Sequence, residues 1–236
     1  MLDIHDELPS TFDLAVDAPP WSAIVARRQT RGRGRLGRKF ECDIGGLWLT
    51  AVLPATPPKT RWQGFSLAVG EALLAAMEKL GGMKIPTRLR WPNDIMIASR
   101  KLAGILIEQT HDTTISVGLG MNVSNEPWNA DPTLHDTACR LVDFLPTETV
   151  QTILPHILTA LTAAHERFER DGIGSIIAAL NKKWQPQRVL LALYDKTNVS
   201  GVFQGLDVNG DLLLKNDTGE IFTVPHQSVQ RLEERS

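Results

Sequence analysis

Short apolar runs in the first half of the chain predict a set of β-strands. Each run is four to eight residues long, which is the length of a strand and shorter than an ordinary helix. The first two runs flank a polar, glycine-rich stretch, and the other four follow the first predicted helix. The runs are Ser22–Ala26, Leu47–Leu53, Arg88–Trp91, Ile95–Ala98, Leu102–Gln109 and Thr114–Leu119.

Three longer segments show helical spacing. Within Trp62–Leu80, apolar residues recur every three or four positions, and Gly81-Gly82 is expected to end this helix. Val150–Phe168 has the same spacing, and Pro155 is expected to kink that helix or to mark its true start. Ile173–Trp184 predicts a third helix that ends shortly before a proline.

Beyond Pro186 the pattern changes to short alternating runs, which are typical of small β domains. Asn209-Gly210 lies between two of these runs and predicts a tight hairpin turn. We therefore expect a domain boundary at this point, with a second domain of SH3-like size at residues 186–236. Its predicted strands are Val189–Tyr194, Val199–Leu206, Asp211–Lys215 and Glu220–Val224.

Positive charge is concentrated in one glycine-rich stretch, QTRGRGRLGR at positions 29–38. The segment Arg27–Lys39 holds seven of the 25 Lys and Arg residues and no acidic residue, which leaves 18 basic against 27 acidic residues elsewhere. Glycine lets the backbone approach a ligand closely, and arginine offers a fixed fork to phosphate or carboxylate. These properties favour a loop that binds a small anion. A solvated charged turn and a nucleic-acid patch are the alternatives, although an acidic protein repels a polyanion.

Composition argues against several classes of protein. The chain has no run of eighteen apolar residues and therefore no predicted membrane span, and its acidic start is unlike a signal peptide. Cys42 and Cys139 are the only cysteines and form no C-x-x-C pair, which argues against a disulfide scaffold or a zinc site. We therefore expect a cytoplasmic protein. The histidines show neither catalytic nor metal-binding spacing.

A second motif, Arg90-Trp91-Pro92-Asn93-Asp94, is followed closely by Lys101-Leu102-Ala103-Gly104-Ile105-Leu106. The Asn93 amide can pair with a purine edge, and the Asp94 carboxylate can hold magnesium or a basic partner. Lys101 is placed to reach a phosphate or a carboxylate. Taken alone, however, the stretch is better explained as a polar hairpin between two core strands.

A third motif, Gly118-Leu119-Gly120-Met121-Asn122-Val123, follows a predicted strand. Because glycines commonly end strands, a G-x-G pattern alone is weak evidence for a binding site. Here Asn122 adds a polar side chain at a point where the backbone permits a ligand to approach closely.

In this order, the motifs resemble the catalytic domain of biotin protein ligases, within the biotin/lipoate protein ligase superfamily. The family pattern is Q-T-x-G-R-G-R-x-G-R, then K-W-P-N-D, K-L-A-G-I-L and G-x-G-x-N-V, and the resemblance covers residues from about 8 to 125. It implies an α+β fold with a mixed sheet flanked by helices in residues 1–185. It also implies that residues 186–236 form the family's small SH3-like β-barrel.

The resemblance further implies a reaction, in which biotin attacks the α-phosphorus of ATP and a lysine of a biotin carrier protein then attacks the acyl-adenylate. Arg35 and Lys101 match the positions that screen the two anions and support the growing negative charge. Nucleotide-binding positions match Arg35, Trp91, Asn93 and Asn122, and Asp94 matches the position for Mg²⁺. The biotin-side positions match Ser10, Thr11, Gln29, Gly32, Arg33, Gly104, Leu106, Gly118 and Gly120.

The implied ligands and partners are ATP, Mg²⁺, biotin or a related small carboxylic acid, and an acceptor carrier protein. Repressor members of the family carry a helix-turn-helix domain ahead of this module, for which this chain has no evident room, so no specific DNA binding is expected. We expect no membrane partner. The oligomeric state stays open, with a homodimer as one option.

Five positions depart from the family pattern. Phe12, Phe40 and Cys42 stand where the family usually has asparagine, tryptophan and serine, and all three lie on the biotin side. Arg31 replaces a small residue, and Arg90 replaces a lysine. Two rival functions therefore stay open: a paralogue that activates another acid, such as lipoate or octanoate, and a non-catalytic ligand-binding relative.

Overall fold

The computed structural model describes residues 1–81 and 85–235. Within these ranges the chain divides into two compact units, residues 1–166 and the residues from 167 onward. The first unit contains every residue of the three motifs. In the described residues, no helix is long and apolar enough to cross a membrane.

The first unit is built on a seven-stranded mixed sheet in the order β1-β2-β3-β7-β6-β5-β4. β1 runs parallel to β2, and every other neighbouring pair is antiparallel. The mixed sheet expected from the sequence is thereby confirmed. The strands are β1 (Leu2–Leu8), β2 (Ser22–Gln29), β3 (Leu47–Pro54), β4 (Thr87–Arg90), β5 (Asp94–Ile97), β6 (Arg100–His111) and β7 (Thr114–Met121).

The register of the sheet brings the three glycines of the motifs onto one face. Gly120 of β7 pairs with Gly104 of β6, and Gly104 pairs with Asp94 of β5. Two residues away on the same face, Gly118 pairs with Thr50 of β3. Because successive residues of a strand face opposite sides, these glycines form a shallow floor without side chains. We call Gly104, Gly118 and Gly120 the glycine floor.

Helices flank both faces of this sheet. α1 (Thr11–Ala15) contacts β2, β3 and β7 on the side of the glycine floor. α2 (Phe65–Gly81) contacts β4, β5 and β6, and its buried positions include Phe65, Val69 and Leu73. The helix predicted over Trp62–Leu80 is thereby confirmed within a few residues, whereas α1 and β1 were not predicted. Gly82, which was expected to help end α2, lies outside the described residues.

Two further helices follow, α3 (Val150–Asp171) and α4 (Gly174–Asn181). α3 contains Pro155 in its second turn, so this proline does not mark the start of the helix. α4 ends three residues earlier than predicted.

The second unit contains a five-stranded antiparallel sheet in the order β11-β10-β9-β8-β12. Gly210 has a φ of 85° in the turn between β9 and β10, as the Asn209-Gly210 hairpin signal predicts. Among the described residues no pairing joins β11 to β12, so the sheet is open and the predicted closed barrel is not seen. The strands are β8 (Gln187–Leu193), β9 (Asn198–Leu206), β10 (Leu212–Lys215), β11 (Ile221–Val224) and β12 (Val229–Glu234).

Candidate active site

The glycine floor is covered by two aromatic rings. A β-carbon built on Gly118 would overlap Phe12 Cε2 and lie 2.6 Å from Phe12 Cζ. A β-carbon on Gly120 would lie 2.9 Å from Phe40 Cε1, and one on Gly104 would lie 3.4 Å from Phe40 Cε2. Glycine at positions 118 and 120 is therefore a steric requirement, because a β-carbon there would displace a ring that now lies against the backbone. At Gly104 a β-carbon would meet the Phe40 ring at an ordinary contact distance.

The basic loop folds back on itself above this face. It leaves β2 at Gln29 and returns at Cys42, where the Gln29 amide donates to the Cys42 carbonyl at 2.9 Å. Further along, the Phe40 amide donates to the Gly32 carbonyl at 3.0 Å. A β-carbon on Gly32 would lie 3.3 Å from Cys42 Cβ and would overlap its sulfur, so the close return of the chain requires glycine there.

The tip of the basic loop is a tight turn. Arg35 begins a short 3₁₀ turn in which Leu36 and Gly37 have φ values of 60° and 69°. The Gly34 amide donates to the Arg38 carbonyl at 2.7 Å and closes the turn. Arg35 is half-buried here, whereas Arg38 is exposed.

Lys101 and Asp94 meet at the Gly104 end of the floor. Lys101 Nζ lies 2.6 Å from Asp94 Oδ1, and Arg90 donates to Asp94 Oδ2 at 2.7 Å. Lys101 Nζ also lies 5.3 Å from the centroid of the Phe40 ring, a cation–π arrangement. A β-carbon on Gly104 would come within 3.0 Å of Lys101 Nζ, so the ammonium lies directly over the floor.

The two cations keep the Asp94 carboxylate ionised. Burial alone would raise the pKa of Asp94, but the charges of Lys101 and Arg90 and their hydrogen bonds outweigh it and hold that pKa below its ordinary value. Among the described residues, no group of three or more His, Cys, Asp or Glu side chains is arranged to hold a metal ion. Asp94 is therefore a single carboxylate that two cations already contact.

A chain of hydrogen bonds links the base of the basic loop to α1 and β3. Gln29 Oε1 accepts from the Thr11 amide at 2.7 Å and from the Thr11 hydroxyl at 3.1 Å. The hydroxyls of Thr11 and Thr50 lie 2.7 Å apart, and Gln29 Nε2 donates to Cys42 Sγ at 3.1 Å. Ser10 caps α1, since its hydroxyl accepts from the Phe12 amide at 3.4 Å.

Arg33 makes contacts within the protein. Its guanidinium lies 5.3 Å from the centroid of the Phe12 ring, on a ring that also lies against Gly118. The same group lies 3.6 Å from Glu108 and 3.9 Å from Asp13. Arg33 thus holds Phe12 in place in this structure.

Three positions that the resemblance assigns to the nucleotide are buried or hydrogen-bonded within the protein. Asn93 Nδ2 donates to the Ile105 carbonyl at 2.6 Å, and the Ile105 amide donates to the Asn93 carbonyl at 2.9 Å. Asn122 is buried, and its Oδ1 accepts from Asn125 at 2.9 Å. Trp91 is buried at the turn between β4 and β5, and Leu106 pairs with Gly118 on the floor face.

Sequence reasoning missed three polar residues of this region. Thr50 was the one polar residue within an apolar strand, which is a signal that it has a buried hydrogen-bond partner. Arg90 was noted only as a departure from the family lysine, but it contacts Asp94 directly. Asn125 carries no sequence signal, because its bond to Asn122 is made across a turn whose shape appears only in the structure.

Known proteins resemble this chain over the region that contains the candidate site. A family model described as the biotin/lipoate A/B protein ligase family matches residues 11–122, which contain nearly all of the positions described above. A bifunctional ligase/repressor of Salmonella typhimurium is 32% identical over 202 residues, which cover 83% of this chain and 62% of that protein. Over residues 11–122 the chain is therefore similar to the biotin/lipoate A/B protein ligase family.

Two further ligases are matched over most of their own length as well as over most of this chain. A biotin–[acetyl-CoA-carboxylase] ligase of Paracoccus denitrificans is 27% identical, over 83% of this chain and 85% of its own length. A biotin protein ligase of Aquifex aeolicus, solved in complex with biotin and ATP, superimposes with a TM-score of 0.85 at 25% identity and 99% coverage of both chains. The chain spans only about three fifths of the length of the Salmonella relative.

Proposed function

We propose that this protein is an ATP-dependent ligase that adenylates biotin and transfers it to a lysine of a carrier protein. The observation that carries the proposal is the position of Lys101 over the glycine floor, 2.6 Å from Asp94 and beside the ring of Phe40. The floor lies between the basic loop and the Asp94 cluster. A carboxylate and a triphosphate can therefore meet there with cations on both sides.

In this proposal Lys101 and Arg35 act on the charge that develops during adenylation. The acid carboxylate and the α-phosphate of ATP are both anionic, so each must be screened before they can approach. Donors directed at the phosphoryl oxygens then stabilise the negative charge that grows on them. Lys101 must exchange its contact with Asp94 for the phosphoryl group, and Arg90 keeps the Asp94 carboxylate neutralised while it does so.

The acid is proposed to lie along the glycine floor. The hydrogen-bonding groups at its far end belong to Ser10, Thr11 and Gln29. Thr11 and Gln29 are already linked to each other, and Ser10 accepts from the Phe12 amide. The wall positions proposed from the resemblance are Gly32, Arg33, Gly104, Leu106, Gly118 and Gly120. ATP is proposed to lie nearer Trp91, Asn93 and Asn122.

Magnesium fits this site as an ion carried by ATP. Mg²⁺ usually binds proteins through one or two carboxylates plus substrate phosphates, and Asp94 supplies one carboxylate with a lowered pKa. When bound, the ion would neutralise phosphate charge. Lys101 and Arg90 would have to share Asp94 with it, since both oxygens of that group are in ion pairs.

Several finer properties of the protein are part of the same proposal. The acceptor is a separate carrier protein that presents a lysine, and the reaction takes place in the cytoplasm. We further propose that the open sheet of the second unit is related to the family's SH3-like domain, and that the protein does not bind DNA specifically. A homodimer is compatible with this function.

A transfer assay tests the proposal. The protein, ATP, magnesium and biotin are incubated with a biotin carrier domain, and the carrier is analysed by intact mass. A mass increase equal to biotin minus water, dependent on ATP, is the expected result. An unmodified carrier at saturating biotin and ATP, with a known ligase as positive control, would contradict it.

One observation favours a second function, activation of a different acid. The rings of Phe12 and Phe40 cover the floor on which biotin would lie. The same transfer assay with a lipoyl carrier domain and octanoate or lipoate would detect this activity.

A further inference from the structure

The Gly118 end of the floor is closed by a ring that is part of the fixed structure. Phe12 is only 6% exposed, and its ring lies directly against Gly118. It belongs to the first turn of α1, which is capped by Ser10 and held by Thr11 through Gln29 and Thr50. The ring is therefore attached to a segment that hydrogen bonds hold against the sheet.

The same ring also lies beneath a cation. The Arg33 guanidinium lies 5.3 Å from the ring centroid, and Glu108 and Asp13 lie 3.6 and 3.9 Å from that guanidinium. A cation that is itself paired with two carboxylates therefore favours the present position of the ring. Phe12 thus contacts both the Gly118 backbone and Arg33.

Phe40 is more exposed than Phe12 and belongs to a loop instead of a capped helix. It is half-buried and lies in the returning arm of the basic loop, outside any strand. Its ring covers Gly104 and Gly120, next to Lys101 and in edge contact with Trp48 at 6.0 Å between centroids. A ligand that enters over Lys101 can displace Phe40 with a small loop movement, whereas Phe12 stays in place.

Polar groups beside Phe12 are already engaged with the protein. Gln29 Oε1 accepts two bonds from Thr11, and Gln29 Nε2 donates to Cys42. A ligand head with several hydrogen-bonding groups would lose its water here and regain few partners, which weakens its binding. An apolar head makes no hydrogen bonds to water, so its burial carries no such cost.

We propose that Phe12 is a specificity-determining residue, which closes the acid groove at Gly118 and favours a carboxylic acid with a slender, largely apolar head over a fused polar ring system. The inference rests on the proposed function for the identity of the groove. Biotin remains a substrate but binds less tightly than the groove would allow without this ring. Octanoate serves below as the probe for the favoured class.

Calorimetric titration of biotin and of octanoate into the parent protein and variants tests this inference. Phe12→Asn should tighten biotin binding about tenfold, the effect of restoring one hydrogen-bond partner, and should weaken octanoate binding. The matched control is Leu14→Asn, which places the same amide on the exposed side of the same helix and should change neither affinity. An unchanged ratio of the two affinities in Phe12→Asn would overturn the inference.

Phe12→Leu guards against failure of the first variant to fold, because leucine keeps the position apolar and buried. It should shift the affinity ratio toward biotin about threefold, since a smaller side chain uncovers part of Gly118. An unchanged ratio in this variant would equally overturn the inference, as would an absence of binding of both acids at millimolar concentration. A different result would contradict the proposed ligase function alone: biotin binds, but no ATP–pyrophosphate exchange is detected.

Discussion

At the scale of single residues, Asp94 connects the two cations of the site. Arg90 and Lys101 each contact one of its oxygens, so one cation still neutralises the carboxylate when the other leaves. Burial raises the pKa of Asp94, and the two cations together more than offset that effect. The stability that comes from this charged group is present above the ordinary pKa of an aspartate and is lost as the pH falls through the lower pKa of the folded state.

Replacing Arg90 tests this arrangement. In Arg90→Ala the pKa of Asp94 should rise, so acid unfolding followed by circular dichroism should begin at a higher pH than in the parent protein. Arg90→Lys should restore most of the acid stability because it restores the charge. Arg88→Ala is the control, since Arg88 lies on the same strand and donates to the Ala98 carbonyl instead. Equal acid midpoints for Arg90→Ala and the parent protein would show that Arg90 does not hold Asp94.

Cys42 makes the stability of the protein depend on pH in the opposite direction, with stability lost at high pH. Burial raises the pKa of its thiol to about 12, with a smaller lowering effect from the Gln29 hydrogen bond. The unfolded thiol ionises near its ordinary pKa, so stability should fall as the pH rises above roughly 9, by about 1.4 kcal/mol per pH unit.

Cys42→Ser should remove this dependence, because serine does not ionise in the range. Urea unfolding at pH 8 and pH 10 is the measurement. The parent protein should lose about 1–2 kcal/mol more than Cys42→Ser between the two pH values. Equal losses in the two proteins would contradict the assigned burial of the thiol.

At the scale of helices and strands, the packing of α2 on β4 depends on one glycine. A β-carbon on Gly70 would lie 2.7 Å from Leu89 Cδ1, and Leu89 is buried. Gly70→Ala should therefore destabilise the protein by about 1–3 kcal/mol through overpacking, although alanine is the better helix former by about 1 kcal/mol.

Thermal unfolding of Gly70→Ala measures this effect against a matched control. Gly174 is also a helix residue, the first of α4, but a β-carbon built there would meet no atom within 4 Å outside its own helix backbone and chain neighbours. Gly174→Ala should therefore leave the melting temperature unchanged or raise it slightly. A Gly70→Ala protein as stable as Gly174→Ala would show that Leu89 can move aside without cost.

Elements with strong apolar patterns were predictable, and those without were not. β3, β7 and α2 contain long apolar runs or clear helical spacing, and they lie where the sequence places them. β1 is an edge strand with exposed Leu2 and Ile4 between polar residues, so it lacks the pattern of a buried strand. α1 is only five residues long, which is too short for helical periodicity to show.

Much of the candidate site could also be anticipated. The motifs identify Lys101, Asp94 and the glycines, because their spacing reflects chemistry and close packing. Sequence did not predict that Phe12 and Phe40 lie on the glycines, since that contact depends on how α1 and the basic loop fold over the sheet. Nor did it predict the link from Cys42 through Gln29 to Thr11, which joins residues far apart in the chain.

At the scale of the whole molecule, charge is distributed in a way that disfavours nucleic acid. The formal net charge is −2, and the basic loop is surrounded by an otherwise acidic chain. Several loop arginines already have acidic neighbours, among them Arg31 and Arg33 near Asp13. The loop can therefore hold a small anion without attracting a long polyanion.

Duplex binding at two salt concentrations tests this expectation. Weak binding at 50 mM salt should fall steeply by 200 mM, as non-specific phosphate contacts do, and should not depend on DNA sequence. A sequence-specific complex that survives about 200 mM salt would contradict the expectation.

The central claim, that Lys101 over the glycine floor stabilises acid adenylation, is tested most directly by ATP–pyrophosphate exchange with biotin. Lys101→Ala should slow exchange by about 10²–10³-fold, the usual effect of removing one donor to developing charge. Lys59→Ala is the control, because Lys59 lies 3.5 Å from the exposed Asp112 and has no part in the site. An exchange rate in Lys101→Ala equal to that of the parent protein would contradict the account.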